Sequence, residues 1–463
     1  MTRTTVTHPK HERGRASSST TDGRQRPELP AVVRGQEEYA ARVPDGLIAA
    51  ATEQIPAVTG IGVSERFRQI IDEFDAATPS GSTPPGFRIE WSTDASGTVW
   101  FDLVRDISRD RNGEPRPTPL LFSVDSANPY EVAPCAGLVA NMTCNPGIVY
   151  DLFLNDPKAN VDHRFHTLEE VMTELARVLG PGCDMSVELN NPFADFGQIL
   201  EQIQRYEEII SSHRLVIKVP HTGPVNAENV AQLLDGDKRL DVRYDSGRTA
   251  DCLYGHRLAL QLHERGYRVN FTLMFEPHQV ALALQARPYF INAFLRHRRV
   301  ATRTFQGLVA AYEVSGDPTF LRQLREFMLK QDYLSARDTE ADLLEVLEIA
   351  RTYLYNRRVN DEGADGLDSA RQALRWLRTA HLDDTRLIIC SMEGPTWFPD
   401  IMAMLTEPEF LDLHHRIVVT TEPSYLARWT SAPQVVSYQR RFMNAARAAN
   451  EAAGMAPGSA QGR

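Results

Sequence analysis

Eight short apolar runs rich in β-branched residues constrain the fold of this chain more than any other feature. They are PLLFSVDSAN (119–128), VANMTCNP (139–146), CDMSVELN (183–190), RLVIKVP (214–220), RVNFTLMF (268–275), PYFINAFL (288–295), RLIICSM (386–392) and HHRIVVTT (414–421). Near-continuous apolar runs suit strands covered on both faces, which is the signature of a parallel sheet. Amphipathic helical patterns separate most of them, at 167–180, 196–211, 255–266 and 276–287. Alternation of this kind, eight times over, predicts an α/β fold: a (β/α)8 TIM barrel. The first interval, NPYEVAPCAGLV, carries two prolines and is expected to hold little helix. Two intervals exceed a plain crossover. One is 221–254, after the fourth run; the other is 296–385, after the sixth, with helical patterns at 317–330, 338–356 and 367–379.

The remaining sequence is an addition to that body. Residues 1–44 are polar, rich in Ser, Thr and Arg and poor in large aliphatics, and are expected to be a disordered tail, as are residues 451–463. Residues 45–118 form an N-terminal extension packed on the barrel, with helical spacing over 62–76 and two strands around a turn within 86–104; the barrel proper is expected to span 119–450. The 463 residues suffice for a core that needs no staples. Fifty Lys and Arg against 61 Asp and Glu give a net charge of −11, which argues against nucleic acid as a partner. There is neither a membrane-length apolar stretch nor an apolar leader, and five cysteines without a CxxC pair argue against a disulfide framework. A cytoplasmic protein acting on small molecules is the expectation, with no cofactor, no metal and no membrane.

In a barrel of this kind the carboxyl ends of the strands build the active site. Polar residues interrupt or close six consecutive runs there: Asp125, Asn145, Glu188, Lys218, Asn270 with Thr272, and Asn292. Six such interruptions point to one convergent pocket. Lys218, alone among apolar neighbours in LVIKVP, has two readings. Its stem can carry the ammonium to solvent, or desolvation can depress the amine until it attacks carbonyls and forms a Schiff base. The second chemistry also needs carboxylates to move protons, and Asp125 and Glu188 would be those carboxylates.

Read in order, VDSANPYEV, MTCNPGIVYD, SVELN, VIKVP, VNFTLMFEPHQVALALQA and INAF resemble the transaldolase family, strongly over 119–298 and weakly over 386–430. The resemblance implies that Lys218 forms the Schiff base and that Asp125 is the acid/base on the hydroxyl next to the C3–C4 bond. It implies that Glu188 and Thr272 hold the catalytic water, and that Asn145 and Asn270 hold the hydroxyls of a three-carbon dihydroxyacetone unit. Asn292 stands where the family has a serine, and Phe294 is an aromatic wall. The implied partners are small-molecule sugars or sugar phosphates, and the sequence allows a homodimer.

Two departures bear on substrate. The family's distal-phosphate arginine aligns with His297, leaving Arg296 and Arg298 beside it as candidate substrate contacts, with Arg299 next. The Ser-x-Arg pair after the seventh run is replaced by Gly394 and Thr396, with Glu393 adjacent. The standard phosphate pocket therefore reads as dismantled, and a non-standard sugar is expected; a phosphate site rebuilt from the arginines is the counter-reading. The 221–254 insertion offers His221, Arg239, Arg243, Tyr244 and Arg248 as further contacts, or none as a plain surface loop. Three functions compete: a transaldolase-type transferase, an aldolase releasing free dihydroxyacetone, and a barrel scaffold without turnover. The pairs His163/His166 and His414/His415 lack a third metal ligand at familiar spacing. Cys144 is expected to pack rather than react.

Overall fold

A computed structural model describes residues 3–4, 30–55, 58–74, 83–84, 87–110, 114–180, 182–210, 214–390 and 394–452. The eight apolar runs become eight strands: β5 (Leu121–Asp125), β6 (Asn141–Cys144), β7 (Asp184–Glu188), β8 (Arg214–Pro220), β9 (Val269–Thr272), β10 (Phe290–Phe294), β11 (Arg386–Cys390) and β12 (Ile417–Thr421). All neighbouring pairs are parallel, and the ladder closes in the order β10-β11-β12-β5-β6-β7-β8-β9. The fold is a (β/α)8 TIM barrel. Outward-facing residues such as Phe271, Ile291, Ile389 and Val419 pack against the surrounding helices. The helices begin and end where local chemistry dictates. The Thr167 side chain caps Leu168–Leu179, and Gly180, at φ +65, ends it. Asp195 and Gln198 form a reciprocal capping box on Phe196–Ile209. Helix Tyr254–Glu264 approaches β8 so closely that a Cβ at Gly255 would lie 2.3 Å from the Pro220 carbonyl oxygen. After β5 the chain makes only the turns Pro129–Val132 and Ala133–Cys135, as the prolines predict.

The N-terminal extension is a separate layer. Strands β1 (Arg3–Thr4), β2 (Gly60–Val63), β3 (Phe87–Thr93) and β4 (Thr98–Arg105) make a sheet in the order β1-β3-β4-β2. Helices Asp45–Gln54 and Glu65–Phe74 cover it around Phe67, Trp91 and Phe101. Residues 30–44 do not belong to the expected disordered tail: Val32 bridges Ile61, and Gln36 accepts a hydrogen bond from the Val63 amide at 2.8 Å. Apart from Arg3–Thr4, the rest of 1–29 lies outside the described residues, as does 453–463; the last helix, Pro433–Ala452, runs past the expected boundary at 450.

The second insertion is smaller than 296–385 suggests. Helix Asp368–Thr379 packs its Leu374 and Leu377 into the barrel's outer core, so it is the β10–β11 crossover rather than inserted material. The inserted unit is a three-helix bundle, Leu295–Ser315, Thr319–Lys330 and Leu343–Asn356, with its own core around Phe305, Leu324 and Val346. The first insertion is tied to it. Arg243 bonds Asp338 and Glu345, both at 2.8 Å, and the Ala336 amide donates to the Leu240 carbonyl at 2.8 Å.

Candidate active site

The barrel interior changes from apolar to charged along its axis. At the amino end Ile107, Leu121, Val216, Phe290, Ile388 and Val418 make an apolar floor. Above it the Asn141 amide donates to Ser123 Oγ at 2.8 Å and Ser186 Oγ donates to Asn141 Oδ1 at 3.1 Å. At the carboxyl end the register sets Glu188 beside Lys218, and Lys218 beside Asn270. Lys218 Nζ lies 3.3 Å from Glu188 Oε2 and donates to the Cys144 carbonyl at 3.1 Å. Lys218 is 5% exposed, so it does not reach solvent along its stem.

The charge state of Lys218 departs from expectation. Burial does push the ammonium down, but Glu188 and Asp125 outweigh it, and the amine is held above the ordinary lysine value. Asp125 moves the other way for a carboxylate. Burial pushes it up to about 6 against the pull of Lys218, with Glu422 and Glu188 adding to the rise. One ammonium thus faces two carboxylates, Glu188 and Asp125, and Glu422 acts on the second of them. Asp125 Oδ1 is buried without a hydrogen-bond partner, an acceptor ready for a hydroxyl or water.

The polar residues expected at the strand ends divide into two groups. Asn270 and Thr272 are buried inside the barrel; the Asn292 amide donates to Asn270 Oδ1 and, at 3.1 Å, to the Phe271 carbonyl, leaving Asn270 Nδ2 unpartnered. Phe294 is half-buried, its ring 5.0 Å from that of Phe275. Asn145 is shared with the fold: its Oδ1 caps Pro146–Val149 through the Ile148 amide at 2.9 Å, so the Nδ2 arm is the one that can reach a ligand. Cys144 faces the outer core, and burial pushes its thiol up to about 12, as suits packing.

Arg298 and Arg299 are committed to carboxylates rather than to an anion site. Arg298 is 2% exposed and holds Asp368 Oδ1 at 3.0 Å and Glu276; Arg357 and the Tyr353 hydroxyl also bond Glu276. Arg298 is therefore a structural cation joining the β9 loop, the inserted bundle and the crossover helix, not a substrate contact, because helical phase turns it inward. Arg299 bonds Asp400 at 2.8 Å and stacks on Trp397. Arg296 is half-buried on the first turn of Leu295–Ser315, and His297 is exposed against Phe275. Gly394, at φ +97, and Thr396 occupy the loop after β11; Glu393 lies outside the described residues. The insertion side chains also turn elsewhere. His221 stacks on outward-facing Phe271 with ring centroids 4.1 Å apart, outside the barrel lumen, and Arg248 bonds Asp251 at 2.7 Å. Tyr244 sits against Tyr333 at the edge of a cavity between insertion and barrel.

Sequence reasoning missed Thr143, Thr420 and Glu422. Thr143 and Thr420 carry buried hydroxyls without partners, and Glu422 acts on Asp125 through space. Strand alternation was the available signal, since Thr143 stands two residues before Asn145 and shares its face. The turn within NFTLMFEPHQ (270–279) also has a local cause. Leu273 adopts φ +64, a conformation bulky residues avoid, directly after Thr272. Gln279 Oε1 accepts from the Phe275 and Glu276 amides at 2.7 and 2.8 Å, and its Nε2 donates to the Leu273 carbonyl at 3.3 Å, pinning the turn.

In comparisons with known proteins, no family model matches the chain and no curated protein matches it significantly. Among the described residues, no helix is long and apolar enough to cross a membrane, and no group of three or more His, Cys, Asp or Glu could hold a metal ion.

Proposed function

We propose that the protein is a transaldolase-type transferase that moves a three-carbon dihydroxyacetone unit from a ketose to an aldehyde through a Schiff base on Lys218. The observation that carries this reading is the buried Lys218–Glu188 pair at 3.3 Å, with the unpartnered Asp125 oxygen electrostatically coupled to it. An amine that begins as an ammonium must first give up a proton, and two neighbouring carboxylates can take it. The free amine then adds to the ketose C2 carbonyl, and the returning proton lets the C2 oxygen leave as water. Asp125 removes the C4 hydroxyl proton. The C3–C4 bond breaks, its electrons pass into the iminium as an enamine, and the first aldehyde departs. The enamine adds to the acceptor aldehyde by the reverse steps, and water releases the product ketose. Asn270 and Asn145 would hold the hydroxyls of the retained unit.

The substrates proposed lack the usual distal phosphate, because Arg298 and Arg299 are committed to Asp368, Glu276 and Asp400. Borohydride reduction in the presence of phosphorylated and unphosphorylated ketoses tests both parts. A reduced three-carbon adduct on the peptide containing Lys218, formed in higher yield with unphosphorylated donors, is expected. No adduct, or an adduct on another lysine, would overturn the mechanism; efficient turnover of fructose 6-phosphate with erythrose 4-phosphate would overturn the substrate class. Release of free dihydroxyacetone without acceptor would make the enzyme an aldolase instead.

A further inference from the structure

Glu422 stands at the end of β12 and takes no part in the steps proposed for transfer. Its place follows from register. β12 runs parallel to β5 with Val418 beside Leu121, Thr420 beside Ser123 and Thr421 beside Val124, so the next residue on each strand sets Glu422 beside Asp125. Alternation gives both the same face. Leu121 and Val418 lie in the barrel floor and Ser123 in the polar layer above it, whereas Val124 and Val419 pack outward. Glu422 has φ −58 and ψ 141, outside the helical region, and its side chain does not cap the helix Pro423–Arg428 that follows, so the alternation of the strand carries through it. The two carboxyls are neighbours on the inner wall, Glu422 exposed at the rim and Asp125 with one oxygen buried.

A second carboxylate beside Asp125 makes a proton there harder to lose. Lys218 on β8 pulls the other way, Glu188 on β7 adds to Glu422, and the thiols of Cys144 on β6 and Cys390 on β11, both pushed up by burial, stay neutral. This balance changes within the reaction. While the enamine waits for an acceptor, the Lys218 nitrogen is neutral. The one attraction that opposes Glu422 and Glu188 is then gone.

We propose that Glu422 is a positioning residue for transfer: it keeps on Asp125 the proton taken from the donor's C4 hydroxyl until the acceptor aldehyde arrives. This role rests on the Schiff-base reading above. In transfer, C3 of the enamine bonds to the acceptor's carbonyl carbon, whose oxygen takes the Asp125 proton, and the iminium re-forms. In the competing loss, C3 takes a proton instead, water adds to the iminium carbon, and free dihydroxyacetone leaves the amine. An Asp125 that gives up its proton early deprives the first route of its acid or supplies the proton for the second.

Fructose as donor and erythrose as acceptor are the probes. In wild type the acid limb of kcat/KM for the donor is expected near pH 6, where Asp125 titrates. Glu422→Gln removes the neighbouring charge. Its acid limb should move down by about one pH unit, and free dihydroxyacetone relative to transferred product should rise by up to about tenfold, the equivalent of that unit. Glu422→Asp keeps the charge and should hold both near wild type. A urea titration needs no substrate: the stability gained on adding Asp125→Asn should be smaller, and complete at lower pH, in Glu422→Gln than in wild type. A merely structural Glu422 would alter melting without moving limb, ratio or titration, and that outcome would overturn the proposal. So would a Glu422→Asp variant that behaves as Glu422→Gln does. Absence of the Lys218 adduct in wild type would instead overturn the reading on which the role rests.

Discussion

Lys218 keeps its charge because Glu188 and Asp125 face it, and its charge and its amine chemistry must be separated by substitution. Lys218→Arg retains a cation opposite Glu188 but has no primary amine. It should fold and show neither a borohydride-trapped adduct nor turnover; mass spectrometry and a melting curve check both. Lys218→Met leaves the carboxylates without a counter-charge, which costs about 3–5 kcal/mol for a broken buried pair. Its midpoint in urea should recover as pH falls and the acids take up protons.

Asp125 makes a second residue-scale prediction, on pH. Its carboxyl is raised from 3.8 to about 6 by burial. Below pH 4 it is protonated in both folded and unfolded chains and has no effect on stability. Between pH 4 and 6 the unfolded chain ionises first, so folding stability falls, and above pH 6 the loss is complete at ~3 kcal/mol. Asp125→Asn mimics the protonated acid. It should match wild type at pH 4, exceed it in urea denaturation at pH 7.5, and lose at least ~100-fold in kcat. Equal stability of the two proteins at both pH values would refute the raised carboxyl.

At the scale of elements, the loop after β9 and the ties between the insertions organise the barrel mouth. Gln279→Ala removes three hydrogen bonds from a turn that contains Leu273 at positive φ. A destabilisation of about 1–3 kcal/mol is expected, with KM raised because Phe275 no longer supports Phe294; calorimetry and initial rates measure the two. The eight strands were legible because each is a short, nearly continuous apolar run, and the first crossover because prolines exclude helix. The inserted bundle was not. An inserted helix with its own core and a crossover helix against the barrel carry the same amphipathic pattern, so Asp368–Thr379 could not be told from inserted material by period. Helical phase hid Arg298 in the same way. Arg296 and Arg298 are two residues apart in text but about 200° apart around a helix, and only packing says which of them turns inward. Lys218, Glu188 and Asn270 were legible as polar breaks in strands, whereas Thr420 was silent because a threonine belongs in a strand anyway, and only alternation with Asn145 marks Thr143.

At the scale of the whole molecule, the reactive end of the barrel depends on how the opposite end is closed. Ile107, just after β4, is fully buried in the barrel floor with Leu121, Val216, Phe290 and Val418. Arg116 fixes that entry by donating to the carbonyls of Ile107, Val139 and Gly182 at 2.9, 2.8 and 2.8 Å. The N-terminal sheet is held against the same face by Arg88 with Asp384 at 2.8 Å and by Arg268 with Glu90 at 3.7 Å. The sheet is thus a stopper carried on a platform, and the stopper makes the larger energetic contribution. Exposed and half-exposed ion pairs are worth ~1 kcal/mol or less, whereas emptying an isoleucine site in a packed floor costs about 2–5 kcal/mol. Ile107→Ala should therefore lower the melting midpoint far more than Arg88→Ala, which cuts the platform's tie. Both variants should still form the Lys218 adduct at temperatures where they are folded, since the polar layer of Ser123, Asn141 and Ser186 separates floor from site. Equal midpoints for the two variants would mean that the sheet is held by its rim rather than by the residue that fills the barrel.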